Sequence, residues 1–152
     1  MSEFQRIETL PTDTLAPLLA ASIDEGFHFG ERLVREWQEG KECFNGPGEL
    51  LLAAYQGTNI IAIGGLMADP YSGEPALGRL RHIYVRPDAR RRGVGRRLVQ
   101  LLELAAQRTY RALVLRTDTP TAARFYEALG YTPLPPGGTA THRRELVAQR
   151  PS

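Results

Sequence analysis

Apolar positions recur at two spacings along the chain, and the switches between them mark out its elements. Leu15, Leu18, Leu19, Ile23 and Phe27 return every three to four residues. This predicts a helix capped by Thr12 or Asp13, with Pro17 near the first turn, where proline is tolerated. Leu33, Val34 and Trp37 form the apolar side of a shorter helix over Glu31 to Glu39, which Gly40 ends. The run Asn45-Gly46-Pro47-Gly48 breaks the pattern. Strands are predicted over Glu49 to Tyr55 and Asn59 to Met67, and the turn-forming Gln56-Gly57-Thr58 makes them a hairpin. Gly64 and Gly65 inside the second strand predict a bulge or a closely approaching backbone. After the polar loop from Asp69 to Gly78, the chain reads as a third strand over Leu80 to Val85 and a long helix from Gly93 to Gln107. A short buried strand, Ala112 to Leu115, a helix from Pro120 to Leu129 stopped by Gly130, and a last strand, Thr139 to Val147, complete the order. Such a succession predicts an α/β (α+β) fold, a mixed sheet with helices packed on it. With no internal repeat, linker or low-complexity tract, one domain over residues 1–152 is expected.

Composition agrees with a soluble domain. The 152 residues carry 19 Lys plus Arg against 17 Asp plus Glu, and 42% are hydrophobic. A chain of this size buries roughly 70% of its unfolded surface, enough for a core without metal staples. Cys43 is the sole cysteine, so there is neither an internal disulfide nor a cysteine zinc site, and no metal is expected. The start, MSEFQRIETL, lacks the apolar stretch of a signal peptide, and no segment has the roughly 18 apolar residues of a membrane span. A cytoplasmic protein without a membrane partner is the expectation. Lys41 is the only lysine, and Arg79, Arg81, Arg86, Arg90, Arg91, Arg92, Arg96 and Arg97 crowd into one stretch, so an anion is expected there.

That stretch contains Val85-Arg86-Pro87-Asp88-Ala89-Arg90-Arg91-Arg92-Gly93-Val94-Gly95. A strand ends at Val85, Pro87 stops the ladder, and two glycines open a long helix. The first turn of a helix has backbone N–H groups without internal partners and the positive end of the macrodipole, which together attract phosphate. Glycines let the backbone come close to such a ligand, and arginines add forked donors. The run is not a Walker loop, since no Gly-Lys-Ser/Thr follows, and it lacks the three-glycine dinucleotide fingerprint.

The segment from Ile83 to Gly95 resembles the core motif of the acetyl-CoA-dependent N-acetyltransferase (GNAT) superfamily, with Arg90, Gly93 and Gly95 at the positions that define it. A second segment, Thr117 to Tyr131, is similar to the superfamily's later motif: Ala122, Tyr126, Gly130 and Tyr131 match, and Thr119 replaces the usual Asn. The resemblance covers Glu49 to Val147. It implies a mostly antiparallel sheet of about seven strands flanked by about four helices, splayed between the fourth and fifth strands. Acetyl-CoA is the implied co-substrate, its pantetheine beside Ile83, Tyr84 and Val85 and its pyrophosphate on the amides from Arg91 through Arg92, Gly93, Val94 and Gly95 to Arg96. Thr119 and Ala122 join Arg90 and Tyr126 among the implied coenzyme contacts.

The implied reaction is direct attack of a neutral amine on the acetyl thioester within a ternary complex. An amine of pKa near 10.4 must lose a proton, at roughly 4–5 kcal/mol at pH 7, and the departing thiolate must gain a proton or a hydrogen bond. Tyr126 is placed by the motif to serve the thiolate, although a tyrosine on a short helix also packs well in a core. The strands flanking the loop hold no carboxylate, and His82 is the nearby side chain whose unperturbed pKa lies close to neutral. Glu25, Glu31 or Glu74, or a water chain, are the alternatives for the base, and His28 and His142 are further candidates on the acceptor side.

The resemblance implies that the acceptor, a small-molecule or peptide amine, meets the first two helices, their connection and the loop between the third and fourth strands, a region with Phe27, His28, Phe29, Trp37, Phe44 and Tyr71 alongside Asp24, Glu25, Glu31 and Glu36. Aromatics with acidic neighbours suit a cationic amine, while the plainer reading makes Phe27 and Trp37 helix core and the acids solvated. Nucleic-acid binding is disfavoured by a net charge of only +2 and the absence of a recognition-helix signature. A non-catalytic acyl-CoA-binding module of the same fold is the second reading, suggested by the missing carboxylate and by Thr119. A homodimer is compatible with the resemblance, though no apolar stripe marks an interface.

Overall fold

The computed structural model describes residues 2–147. Its elements are β1 (Glu3–Arg6), α1 (Thr12–Asp24), α2 (Phe29–Gln38), β2 (Leu50–Gln56), β3 (Asn59–Ala68), β4 (Leu77–Val85), α3 (Val94–Ala106), β5 (Ala112–Leu115), α4 (Pro120–Ala128), β6 (Thr132–Pro133) and β7 (His142–Glu145). The strands form one seven-stranded sheet in the order β1-β2-β3-β4-β5-β7-β6. Every neighbouring pair is antiparallel except β4 and β5. This is the mixed sheet with four helices that the pattern and the resemblance imply.

Both faces of the central strands are covered, which explains why they read as nearly continuous apolar runs. Side chains alternate across the sheet. Leu51 and Ala53 join Leu15, Leu18, Leu33 and Phe44 in a core under α1 and α2, whereas Leu52 and Ala54 join Leu98, Leu102 and Leu113 in a core under α3.

Several expectations are corrected. The edge strands β1 and β6 are absent from the pattern reading, because one has a single apolar side chain in four residues and the other is two residues long. Each exists only through its ladder to β2 or β7. Neither Thr12 nor Asp13 caps α1: the Pro11 carbonyl already accepts from the Leu15 N–H at 2.8 Å, so both lie inside the first turn. Ile23, expected on the buried face, is 50% exposed, and Phe27 lies beyond the helix end.

Two irregularities position the site. The first is the splay: β4 and β5 pair only at Leu77 with Ala112, Gly78 with Leu113 and Arg79 with Val114, and beyond this they part. The second is a bulge: Ile63 pairs with Tyr84 and Gly65 with Arg81, so His82 and Ile83 together oppose Gly64. His82 takes a left-handed φ of 58° there. A Cβ on Gly64 would lie 2.6 Å from Ile83 Cδ1, so the glycine makes room for the bulge, as the paired glycines in β3 predict.

Candidate active site

Between the diverging ends of β4 and β5 lies a cavity of about 540 Å³. Leu80 to Tyr84 form one wall, Leu115 to Thr119 with Ala122 and Tyr126 of α4 the other, and Glu25, Gly26 and Phe27 of the α1–α2 connection with Phe29 at the start of α2 close one side. Of the site residues expected from sequence, His82, Ile83, Tyr84, Thr119, Ala122 and Tyr126 line this cavity. Val85 and the run Arg90 to Arg96 lie outside its lining, where the chain passes from β4 into α3. Arg81, which the sequence places only within the arginine cluster, also lines it, as do Leu115 and Arg116, which sequence reasoning missed, since nothing local reveals at which residues two strands separate.

The two helices beside the cavity begin differently. In α4 the Thr119 hydroxyl caps the helix, accepting from the Ala122 N–H at 3.2 Å. In α3 no side chain caps the start and no acidic residue stands in the first turn. Gly93 at the cap adopts φ 78°, and the first bond runs from the Arg97 N–H to the Gly93 carbonyl at 3.0 Å. The N–H groups of Val94, Gly95 and Arg96 therefore have no acceptor among the described residues. Arg96 and Arg97 add positive charge at the positive end of the dipole, an arrangement that costs stability unless an anion is bound. A Cβ at Gly95 would approach Val85 Cγ2 to 3.2 Å and the Phe125 ring to 3.5 Å, so glycine keeps β4, α3 and α4 close. The amide cradle fits a diphosphate.

The arginines before it brace the loop. Arg90 donates to both carboxylate oxygens of Glu25 at 2.9 and 2.6 Å and to the Val85 carbonyl at 3.0 Å, and its guanidinium lies 5.5 Å from the Tyr84 ring centre. Arg92 donates to the Asp88 carbonyl at 2.6 Å. Arg91 has φ 66°.

Burial decides the proton chemistry. The Tyr126 ring meets Phe125 edge-on at 5.1 Å and Tyr131 at 5.6 Å, and its hydroxyl has no protein partner among the described residues. Burial pushes its pKa above the ordinary phenol value. His82 sits 5.8 Å from the Phe29 ring and 5.9 Å from Phe44. Burial, helped by the charge of Arg81, pushes it down to about 4, so the near-neutral basicity that sequence alone suggests is lost and the ring is uncharged at pH 7. Glu25 accepts from the Tyr84 hydroxyl as well as from Arg90, and Arg90 foremost holds it below the usual carboxylate range. It is a structural anion and a poor base. Glu31 and Glu74 are exposed and outside the cavity lining. His142 is buried on β7 between Thr141 Oγ1 and Glu127 Oε2, both at 2.9 Å, and His28 precedes α2; neither lines the cavity. Among the described residues no group of three or more His, Cys, Asp or Glu is placed to hold a metal, and no helix is long and apolar enough to cross a membrane.

Comparison with known proteins agrees with this geometry. The family profile for the acetyltransferase (GNAT) domain matches residues 47–133. A candidate acetyltransferase from Exiguobacterium sp. 255-15 is 35% identical, with a TM-score of 0.84 over 95% of this chain and 93% of that one. A GNAT-family acetyltransferase from Staphylococcus aureus Mu50 shares 14% identity and a TM-score of 0.77 over 97% and 100% of the two chains. The PaiA N-acetyltransferase from Thermoplasma acidophilum, solved in complex with coenzyme A, shares 15% identity and a TM-score of 0.72 over 95% and 99%. A search of curated proteins finds no match. The chain belongs to the GNAT acetyltransferase family, and its class of activity is acyl transfer.

Proposed function

We propose that this protein moves an acetyl group from acetyl-CoA to a primary amine of a small molecule or peptide by direct attack in a ternary complex, in the cytoplasm. The observation that carries the reading is the splay of β4 from β5. It brings a strand edge without a partner, a bulge and the Tyr126 side chain around one cavity beside the uncapped start of α3.

The amides from Arg91 to Arg96 would hold the coenzyme diphosphate. Ile83, Tyr84 and Val85, unpaired on the β5 side, would hydrogen-bond the pantetheine as an added strand would. Thr119 and Ala122 face the same arm, and Arg90 serves by fixing the loop. The backbone at the bulge supplies an N–H for the oxyanion that develops on the acetyl carbonyl.

The amine nitrogen bonds the acetyl carbon, the carbon–sulfur bond breaks, and the sulfur leaves with the electron pair. Tyr126 donates a hydrogen bond or its proton to that sulfur. Burial weakens the phenol as an acid, and the same dry surroundings destabilise the thiolate, so the two remain matched. His82, neutral at pH 7, accepts a hydrogen bond from the amine and aims its lone pair. With a pKa of about 4 it cannot hold the proton of an alkylammonium of pKa about 10.4, a gap of roughly 9 kcal/mol, so the surplus proton leaves through water.

The test is thiol release from acetyl-CoA over a panel of polyamines, aminoglycosides, amino acids and peptide N-termini, beside calorimetry with coenzyme A. Turnover with one class of amine and a coenzyme signal are the expected outcome. Coenzyme binding without turnover by any amine would favour an acyl-CoA sensor, and no binding would remove the reading.

A further inference from the structure

Three guanidiniums and two carboxylates meet on the α2 side of β4. Arg79 is buried and paired: its Nε donates to Asp69 Oδ1 at 2.7 Å, its Nη2 reaches the Thr139 carbonyl at 3.1 Å, and it lies 4.9 Å from the Tyr71 ring centre. Arg32 takes the other carboxylate, Nε to Glu36 Oε1 at 2.6 Å. Arg81 is left without an ion-pair partner among the described residues. Its single polar contact among the described residues is Nη1 to the Met67 sulfur at 3.7 Å, a weak acceptor. Burial foremost, then the charge of Arg32, bears against its charge, and Tyr71 and Glu36 offset this only in part. Yet Arg81 lines the cavity and immediately precedes the bulge. A guanidinium half-withdrawn from water with its fork unfilled is a receptor for an anion.

We infer that the acceptor is a small amine carrying its own anionic group, a carboxylate or phosphonate, which docks on Arg81 and so places the amine at the His82 bulge. This rests on the acyl-transfer reading above and narrows it. Of the acids that the sequence offers to a cationic amine, Glu25 is engaged by Arg90 and Tyr84 and Glu36 by Arg32, while Asp24 and Glu31 lie outside the cavity lining; Asp118, on the cavity wall, pairs with Arg116. A polyamine would instead meet the unpaired cation.

The experiment measures thiol release from acetyl-CoA with common amino acids and short ω-amino acids, each beside its carboxamide, with aminoalkylphosphonates and putrescine as further arms. The expected result is a kcat/KM at least about tenfold higher for an acid or phosphonate than for its neutral amide, with putrescine poorest. In Arg81→Met the acid-to-amide ratio falls toward unity through KM, and Arg81→Lys restores part of it. Calorimetry with N-acetylated amino acids and coenzyme A reads the same subsite without turnover. Equal efficiency for acids and amides, or a preference for putrescine, overturns the inference and leaves acyl transfer standing. Arg81-dependent binding of N-acetylated acids without turnover by any amine supports the subsite and removes the transferase. Neither binding nor turnover removes both. Should Arg81→Met not fold, the wild-type ratio and Arg81→Lys still decide.

Discussion

The two halves of β4 share one strand and differ in almost everything else. From Leu77 to Arg79 it is laddered on both sides, fully buried, and its arginine is matched to a carboxylate. From Arg81 to Val85 it is laddered, among the described residues, only to β3, it is bulged at His82, and its arginine has no ion-pair partner among them. The first half holds the sheet together. The second leaves backbone groups and a charge exposed to a cavity, and unfilled polar groups of that kind are what a ligand is recognised by.

The same substitution made in each half exposes the contrast most strongly. Arg79→Met strands the Asp69 carboxylate in a site where both side chains are about 95% buried, and should cost about 3–5 kcal/mol in denaturant unfolding. Arg81→Met should cost less than about 1 kcal/mol, because no ion pair is broken. Equal losses would mean that the open half is as structural as the closed one.

Acid should act next. Between pH 6.5 and 4 the unfolded chain protonates His82 while the native ring, held at about 4, stays neutral, so stability falls as pH falls, by up to about 3 kcal/mol. Glu42, which burial raises to about 7, runs the other way, losing stability as pH rises from 4.5 to 7. Comparing wild type with His82→Asn, a residue that tolerates the left-handed backbone, isolates the first effect. Parallel pH curves for the two proteins would count against the lowered basicity of this half-buried ring. Activity should show no inflection near pH 6.5 and should climb with the acceptor amine's own deprotonation.

Gly64→Ala forces a Cβ against Ile83 at the bulge and should destabilise by about 1–3 kcal/mol while raising the KM for acetyl-CoA. Tyr126→Phe should keep the melting temperature and lower kcat at least tenfold, about 1.4 kcal/mol. A kcat within twofold of the parent would end the proposed role of the hydroxyl. Smallest is Glu25→Gln, which breaks a partly exposed pair and should cost about 0.2–1 kcal/mol while loosening the loop that Arg90 braces.

Local pattern carried much of this protein. Apolar spacing, with glycine-bearing turns such as Gln56-Gly57-Thr58, determined the long helices and the central hairpin, since each buries one stripe or alternates between two cores. The glycines at 93 and 95 made the uncapped start of α3 legible, because a helix start is a local device. Only the tertiary structure decided which arginine lacks a partner, that Glu25 captures Arg90 from 65 residues away, that burial strips His82 of its basicity, and where β4 leaves β5. Charge matching and desolvation depend on neighbours that the chain brings together only by folding, and no spacing along it records them.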